Sequence, residues 1–313
     1  MKDYKDLRII FMGTPEFAVA SLDALHKAGC NIVAVITAPD KPAGRGLKLT
    51  ESAVKKYAVA NELQVLQPEK LKNPEFLKTL KDFQADLQIV VAFRMLPELV
   101  WNMPPMGTLN LHGSLLPQYR GAAPINWAII NGEKETGVTT FKLKHEIDTG
   151  DILLQEKIEI GEDDTAGELH DTMKEIGAQL LVKTVVGLAS ETIKENPQAL
   201  QGMTGANLKH APKIFTETCQ IDWHKTTHEI HNLIRGLSPF PAAASSFHQK
   251  HLKIYKSKQE VIQNNIAPGE WLTDHKTFLK CSTADGYIHV LELQLEGKKK
   301  MKVEEFLRGF RTI

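Results

Sequence analysis

Asn110 and His112 stand two residues apart in the segment Thr108-Leu109-Asn110-Leu111-His112, and Asp148 follows in the turn from His145 to Asp151. An amide, an imidazole and a carboxylate are the parts of an acyl-transfer site that works without a covalent nucleophile. The amide and an imidazolium can hold the oxyanion of a tetrahedral intermediate. A carboxylate beside the imidazole favours its charged form and can take a proton from an attacking amine, directly or through water. Residues two apart on a strand project from one face. Two polar side chains on a face that a parallel sheet buries need a reason. A lone Asn-x-His is ordinarily a hydrogen-bonded polar pair, and an Asp- and Gly-rich turn is ordinarily solvated. Position changes the odds, because open α/β sheets place their sites at the carboxyl ends of strands. The turn Gly113-Ser114-Leu115-Leu116-Pro117 after His112 also offers backbone groups to a ligand.

The elements that must position these residues are readable from apolar patterning. Apolar runs at 8–12, 31–36, 65–66 and 87–92 alternate with helical patterns at about 17–25, 52–61 and 73 onward, the last opened by Asn73-Pro74. That alternation predicts a doubly wound, mostly parallel α/β sheet covered on both faces. Strand 108–112, a helix at 124–131, strands at 138–142 and 152–160 and a long helix at 165–188 follow. Residues 191–209 have little apolar periodicity and contain Pro197, Gly202 and Gly205, and are read as a linker. Beyond it come a helix at 224–237 and short strands at 244–247, 252–255, 277–281 and 287–295, punctuated by Gly269, Gly286 and Gly297. This pattern predicts a small β-barrel of the oligonucleotide-binding kind. The expected organisation is 1–190, a linker at 191–209, and 210–313.

A chain of 313 residues suits two domains, and 42% hydrophobic with 24% charged residues suits a soluble globular protein. The net charge is zero, but residues 1–200 carry 22 basic and 27 acidic side chains, a balance of −5, and residues 201–313 carry 16 and 11, a balance of +5. Unlike halves predict unlike partners. Cys30, Cys219 and Cys281 have no C-x-x-C spacing, so neither a zinc knuckle nor a disulfide framework is expected. The charged start lacks a signal peptide's apolar region, and no apolar run reaches the ~20 residues of a membrane span. A cytoplasmic protein with no membrane partner and no metal is expected.

The stretch from Asn110 to Ile125, with Ser114-Leu115-Leu116-Pro117 and Tyr119-Arg120-Gly121-Ala122-Ala123-Pro124, followed by Asp148-Thr149-Gly150-Asp151, resembles the folate-dependent formyltransferases. So do 11–18, the loop 39–46, Ile221-Asp222-Trp223 and 234–241; the loop and the C-terminal pattern point to the tRNA-modifying branch. The resemblance implies Asn110, His112 and Asp148 as the catalytic trio. It implies a folate-contacting turn at Ser114, Leu115, Leu116 and Pro117, and a pterin-receiving segment with Phe93, Arg94, Met95 and Leu96. Its donor would be 10-formyltetrahydrofolate and its acceptor the methionyl amine of initiator tRNA; separately, a monomer is expected. In the family a Tyr-Gly-type pair commonly stands at Phe93-Arg94, and small residues stand at His145-Glu146.

Rival readings remain at the sequence level. After the first strand, Gly13-Thr14-Pro15-Glu16-Phe17-Ala18 keeps only the first glycine of a dinucleotide fingerprint, so Gly13 is read as a tight turn. The loop from Lys41 to Lys48, continuing to Lys55-Lys56, holds five basic residues and Glu51; charged Gly/Pro loops are ordinarily solvated. In a first part that is otherwise acidic we read it as an arm on RNA phosphates, with Lys41, Arg45 and Lys48. His224, His228 and His231 share a helix face but lack a completing carboxylate or cysteine, so they are expected on a solvated flank beside Arg235. The acceptor alternatives are an amino-sugar nucleotide or glycinamide ribonucleotide. A non-catalytic tRNA-binding protein is the alternative of another class.

Overall fold

The structure is a computed structural model and describes residues 3–43, 48–198, 208–263 and 265–310. The first part runs β1 (Ile9–Gly13), α1 (Glu16–Lys27), β2 (Ile32–Ile36), β3 (Lys41–Ala43), β4 (Lys48–Thr50), α2 (Ala53–Ala60), β5 (Val65–Leu66), α3 (Pro74–Asp82), β6 (Leu87–Val91), α4 (Glu98–Trp101) and β7 (Thr108–His112). It continues with β8 (Arg120–Gly121), α5 (Pro124–Ile130), β9 (Glu135–Lys142), β10 (Ile152–Glu159) and α6 (Ala166–Ala189). The last part holds β11 (His210–Ala211), α7 (Thr227–Leu237), β12 (Ala243–Phe247), β13 (Lys250–Val261), β14 (Trp271–Thr273), β15 (Leu279–Ser282), β16 (Gly286–Leu295), β17 (Met301–Lys302) and α8 (Val303–Gly309).

Among the described residues the chain forms two compact units. The first gathers 1–120, 137–158 and 170–209; the second gathers 121–136, 159–169 and 210–313.

The first unit is the expected doubly wound sheet. Seven strands lie in the order β10-β9-β7-β6-β1-β2-β5. β1 pairs in parallel with β2 and β6, and β6 with β7, whereas β7 and β9 are antiparallel. The central strands β1 and β6 are buried along their whole length, which is why their sequences are almost continuously apolar. One sheet face packs Ile10, Met12, Ile36 and Val90 against Phe76, Leu80 and Val100 of α3 and α4. Gly13 is a close-packing glycine, as a Cβ there would lie 2.6 Å from that of Ala18 in α1. The stretch expected as a loop at 39–49 carries a short antiparallel ladder, Lys41 opposite Thr50 and Pro42 opposite Leu49.

Helix starts follow their caps. Asn73 accepts from the Glu75 and Phe76 amides, and Pro74 occupies the first turn where no amide is needed. Thr165 and Glu168 exchange side-chain and backbone hydrogen bonds at the start of α6. α7 begins at Thr227 rather than 224, because Thr226 and Glu229 form a capping box.

The second unit is built on an antiparallel sheet, β12-β13-β16-β15-β14, with β17 on β16. It curls as a half-barrel over Ile230, Ile234, Leu252, Ile254, Leu293 and Phe306. β13 runs twelve residues, well past the expected 252–255, because register shifts at Ile254, Lys256 and Ser257 let it bend and keep pairing with β16. Lys256 and Lys258 are exposed on either side of buried Ser257.

The expectation for α7 needs correcting. His231 and Arg235 are each only 4% exposed rather than on a solvated flank. Arg235 donates to the carbonyls of Gly161 and Asp164 at 3.1 Å and to Oδ1 of Asn232 at 2.8 Å. His231 Nδ1 lies 3.0 Å from Ser257 Oγ. Acceptors from a segment some 70 residues earlier make this burial tolerable. His224 and His228 are exposed.

Candidate active site

β7 and its following turn carry the centre of the site. Asn110 pairs in register with Val90 and Phe141, and His112 with Thr139, so the amide and imidazole share the face that Val90 presents to α3 and α4. Among the described residues the Asn110 side-chain amide has no hydrogen-bond partner, and it is half-buried. His112 is 7% exposed. Its Nε2 lies 2.9 Å from the carbonyl oxygen of Tyr119, which can only accept, so Nε2 carries the proton in this bond. Tyr119 adopts a left-handed backbone (φ 58°) and donates its own amide to the Lys209 carbonyl at 2.7 Å. The other ring nitrogen, Nδ1, faces Asp148 Oδ2 at 3.8 Å. That separation is too long for a hydrogen bond and too short to be incidental.

Asp148 sits in a turn that is tied down from two sides. Its backbone is left-handed (φ 54°), a conformation that costs a non-glycine residue energy unless its surroundings fix it. Gln198 supplies the fixing: its Nε2 donates to the carbonyls of Asp148 (3.0 Å) and Gly150 (2.7 Å). Arg120 in turn donates to Gln198 Oε1 from Nε (3.2 Å) and from its terminal nitrogen (2.6 Å). A Cβ at Gly150 would come within 1.5 Å of the Lys142 carbonyl oxygen, so the turn closes onto β9 only with glycine there. The sequence did not reveal Gln198 or Arg120 as site residues. Arg120 stood inside the motif, but Gln198 carried no local signal.

The turn after His112 is equally constrained. The Thr139 hydroxyl donates to the Ser114 carbonyl (2.6 Å) and accepts from the Leu116 amide (3.2 Å) and Gln155 Nε2 (2.9 Å). Ser114 and Leu116 are buried, and the Ser114 hydroxyl donates inward to the Gln118 carbonyl. Leu115 and Pro117 are half-buried. Beyond β6, Ala92 is left-handed (φ 46°), Phe93 is half-buried, Leu96 is buried and Met95 is 75% exposed. Arg94 folds back: its guanidinium donates to the carbonyls of Glu69 (2.9 Å) and Pro68 and lies 5.4 Å from the Phe93 ring centre. Burial pulls its pKa down from the usual arginine range. The loops after β6 and β7 therefore offer backbone groups, an aromatic face and a flexible thioether.

Of the arm residues, Lys41 is exposed on β3, Lys48 stands opposite Ala43 on β4, and Arg45 lies outside the described residues. Lys55 is not a spare cation, since its Nζ pairs with Asp40 (2.5 Å) and Glu51 (2.9 Å). Cys30, Cys219 and Cys281 are buried free thiols, and burial pushes the Cys30 thiol up to about 11. Among the described residues no group of three His, Cys, Asp or Glu is poised to hold a metal, and no helix is long and apolar enough to cross a membrane.

The doubly wound sheet thus carries an amide and an imidazole on β7 and a carboxylate in the turn between β9 and β10. The chain belongs to the formyl transferase family. The profile described as formyl transferase matches residues 7–185, and formyl transferase, C-terminal domain, matches residues 213–311. The chain is 52% identical over 311 residues to a methionyl-tRNA formyltransferase of Bacteroides fragilis, covering 98% of this chain and 96% of that one. It is 51% identical over 312 residues to the enzyme of that name from Bacteroides thetaiotaomicron, covering 98% and 97%. In fold it is similar to the N-formyltransferase from Helicobacter canadensis, solved with folinic acid and dTDP-3-aminofucose. That likeness has a TM-score of 0.66 at 22% identity over 94% of this chain and 100% of the other.

Proposed function

We propose that this enzyme transfers a formyl group from 10-formyltetrahydrofolate to the α-amino group of methionine on initiator tRNA, as a cytoplasmic monomer. The observation that carries this reading is the likeness, at about half of all positions and over nearly the whole chain, to relatives bearing that activity in their name. We assign catalysis to Asn110, His112 and Asp148, folate contact to Phe93, Arg94, Met95, Leu96, Ser114, Leu115, Leu116 and Pro117, and RNA contact to Lys41, Arg45 and Lys48. In this reading 1–190 is the catalytic part, 191–209 the linker and 210–313 the tRNA-docking part.

The loops after β6 and β7 suit a flat heteroaromatic ring, because Phe93 and Met95 offer it apolar contact and the left-handed Ala92 turns backbone groups outward. Arg94 acts through its backbone, since its side chain is engaged, while Ser114 and Leu116, turned inward and bonded to Thr139, set the shape of the turn. The folate supplies a formyl carbon bound to nitrogen. Asn110 donates its amide to the carbonyl oxygen as that oxygen becomes an oxyanion, and the imidazolium form of His112 adds charge from the same strand face. With Nε2 committed to Tyr119, Nδ1 is the nitrogen that works, and Asp148 shares with it the space where a proton is passed. The bond from the methionyl nitrogen to the formyl carbon forms and the bond from that carbon to the folate nitrogen breaks. The proton shed by the amine moves through Asp148 to that nitrogen.

The test is formyl transfer from radiolabelled 10-formyltetrahydrofolate to charged initiator tRNA, run beside an amino-sugar nucleotide and an uncharged control. Label appearing in Met-tRNA is the expected result. Label appearing only in the sugar, or RNA binding with no transfer, overturns the reading.

A further inference from the structure

We propose that the second unit carries a pocket for one unpaired nucleotide of the acceptor RNA, its base laid against Phe240 and Phe215 and its phosphate neutralised by Lys213 and Lys253. The inference rests on the acceptor being an RNA and names where in the second unit that RNA is gripped. The pocket is a cleft of about 490 Å³ contained within the second unit. That volume lies in the range that takes a compact organic ligand.

Two of its lining residues are aromatic side chains that the fold does not bury. Phe240 is 82% exposed and Phe215 57% exposed. Scattered exposed apolar residues are ordinary, but two phenyl rings lining one cleft form a patch with a use. Its charged side chains have one sign. Lys213 and Lys253 line it beside His251, and among the described residues no carboxylate does. Lys213 is exposed at the rim and Lys253 is half-buried. Lys213 Nζ lies 5.7 Å from the Phe215 ring centre, and Lys253 Nζ reaches the Pro241 carbonyl at 3.3 Å.

Aromatic faces with cations and no anion are the combination that stacks a base while neutralising its phosphate. An apolar protein segment would be poorly served by two lysines and a histidine on the same walls, because their desolvation would oppose docking. Duplex RNA is excluded from the aromatic contact, since its bases are already stacked, so the occupant is an unpaired residue. The excess of five positive charges in 201–313 supplies the sequence-independent attraction.

The experiment titrates the full-length protein with a fluorescently labelled tetraadenylate and with a tetramer of the same backbone whose positions are abasic. The wild type is expected to bind the tetraadenylate at least fivefold more tightly than the abasic tetramer, the margin a stacked base supplies. Phe240→Ala, at a position 82% exposed, should erase that margin. Lys213→Glu should weaken both tetramers, and high salt should do the same. Equal binding of the two tetramers by the wild type, an unchanged margin in Phe240→Ala, or self-association abolished by Phe240→Ala would each overturn the proposal. Binding of adenosine monophosphate as tight as that of the tetramer would overturn it too, by making the pocket a free-nucleotide site. The titration involves no transfer step. A wild type that fails to formylate Met-tRNA therefore removes the functional reading, whereas one that formylates it and ignores bases removes the pocket.

Discussion

Two of the places where the molecule encloses polar side chains come to opposite ends. On α7, Arg235 and His231 are almost wholly enclosed, and Arg235 finds three oxygen acceptors within 3.1 Å. On β7, Asn110 has no protein partner among the described residues, and His112 meets Asp148 only across 3.8 Å. Around Arg235 the first cluster is closed, because its hydrogen bonds match its burial, and only His231 Nε2 is left without a hydrogen bond, 3.4 Å from Asp163 Oδ1. The second is held in place by Tyr119, Gln198 and Thr139, yet the Asn110 amide has no hydrogen-bond partner among the described residues. Enclosed polarity is available for chemistry where the scaffold fixes a group's position and leaves its hydrogen-bonding capacity open.

The sharpest way to break this contrast is to exchange the two outcomes. Asn110→Ala and His112→Ala should each lower kcat by about 10²–10³, the typical worth of one oxyanion donor, while folate binding, followed by ligand fluorescence, changes little. A kcat unaffected by either substitution would remove the trio from the chemistry. Arg235→Met should leave transfer per folded molecule intact and cost about 3 kcal/mol in urea unfolding, because buried acceptors at Gly161, Asp164 and Asn232 lose their donor. If instead it abolished transfer in a fully folded protein, the closed cluster would be more than structural.

Smaller effects sharpen the distinction. Gln198→Ala removes the two bonds that hold the Asp148 turn, and kcat should fall about tenfold with KM for both substrates within a factor of three. A change confined to KM would place Gln198 in binding rather than positioning. The smallest effect concerns pH. Burial, aided by the Arg235 charge, holds His231 below the ordinary histidine range. The unfolded chain therefore takes up the proton first, and stability present above that range is lost as pH falls towards the lowered folded value. Thermal melting should drop between pH 7 and 5, and His231→Gln should flatten the slope. An unchanged slope would mean that other groups carry it.

The fold was legible because alternating apolar runs and helical stretches are local facts, repeated often enough to fix a doubly wound sheet. Asn110, His112 and Asp148 stood out because a two-residue spacing on a strand and an Asp-Gly turn are also local. The supports were not legible. Tyr119 serves His112 through a carbonyl, which any residue possesses. Gln198 reaches Asp148 across 50 positions, and Arg94 spends its charge on the carbonyls of residues 68 and 69. Arg235 and His231 were misjudged for the same reason, since a helix wheel cannot know that residues 161–164 will cover it.

Neither compact unit is a continuous stretch of chain: residues 121–136 and 159–169 belong with 210–313. A fragment beginning at His210 would retain Arg235 but lack Gly161 and Asp164, and would lose the Asn126 side chain that bonds the Gly236 carbonyl at 2.7 Å. Residues 210–313 are therefore not a self-sufficient piece of this chain, because cutting there would strip the buried Arg235 of two of its three acceptors.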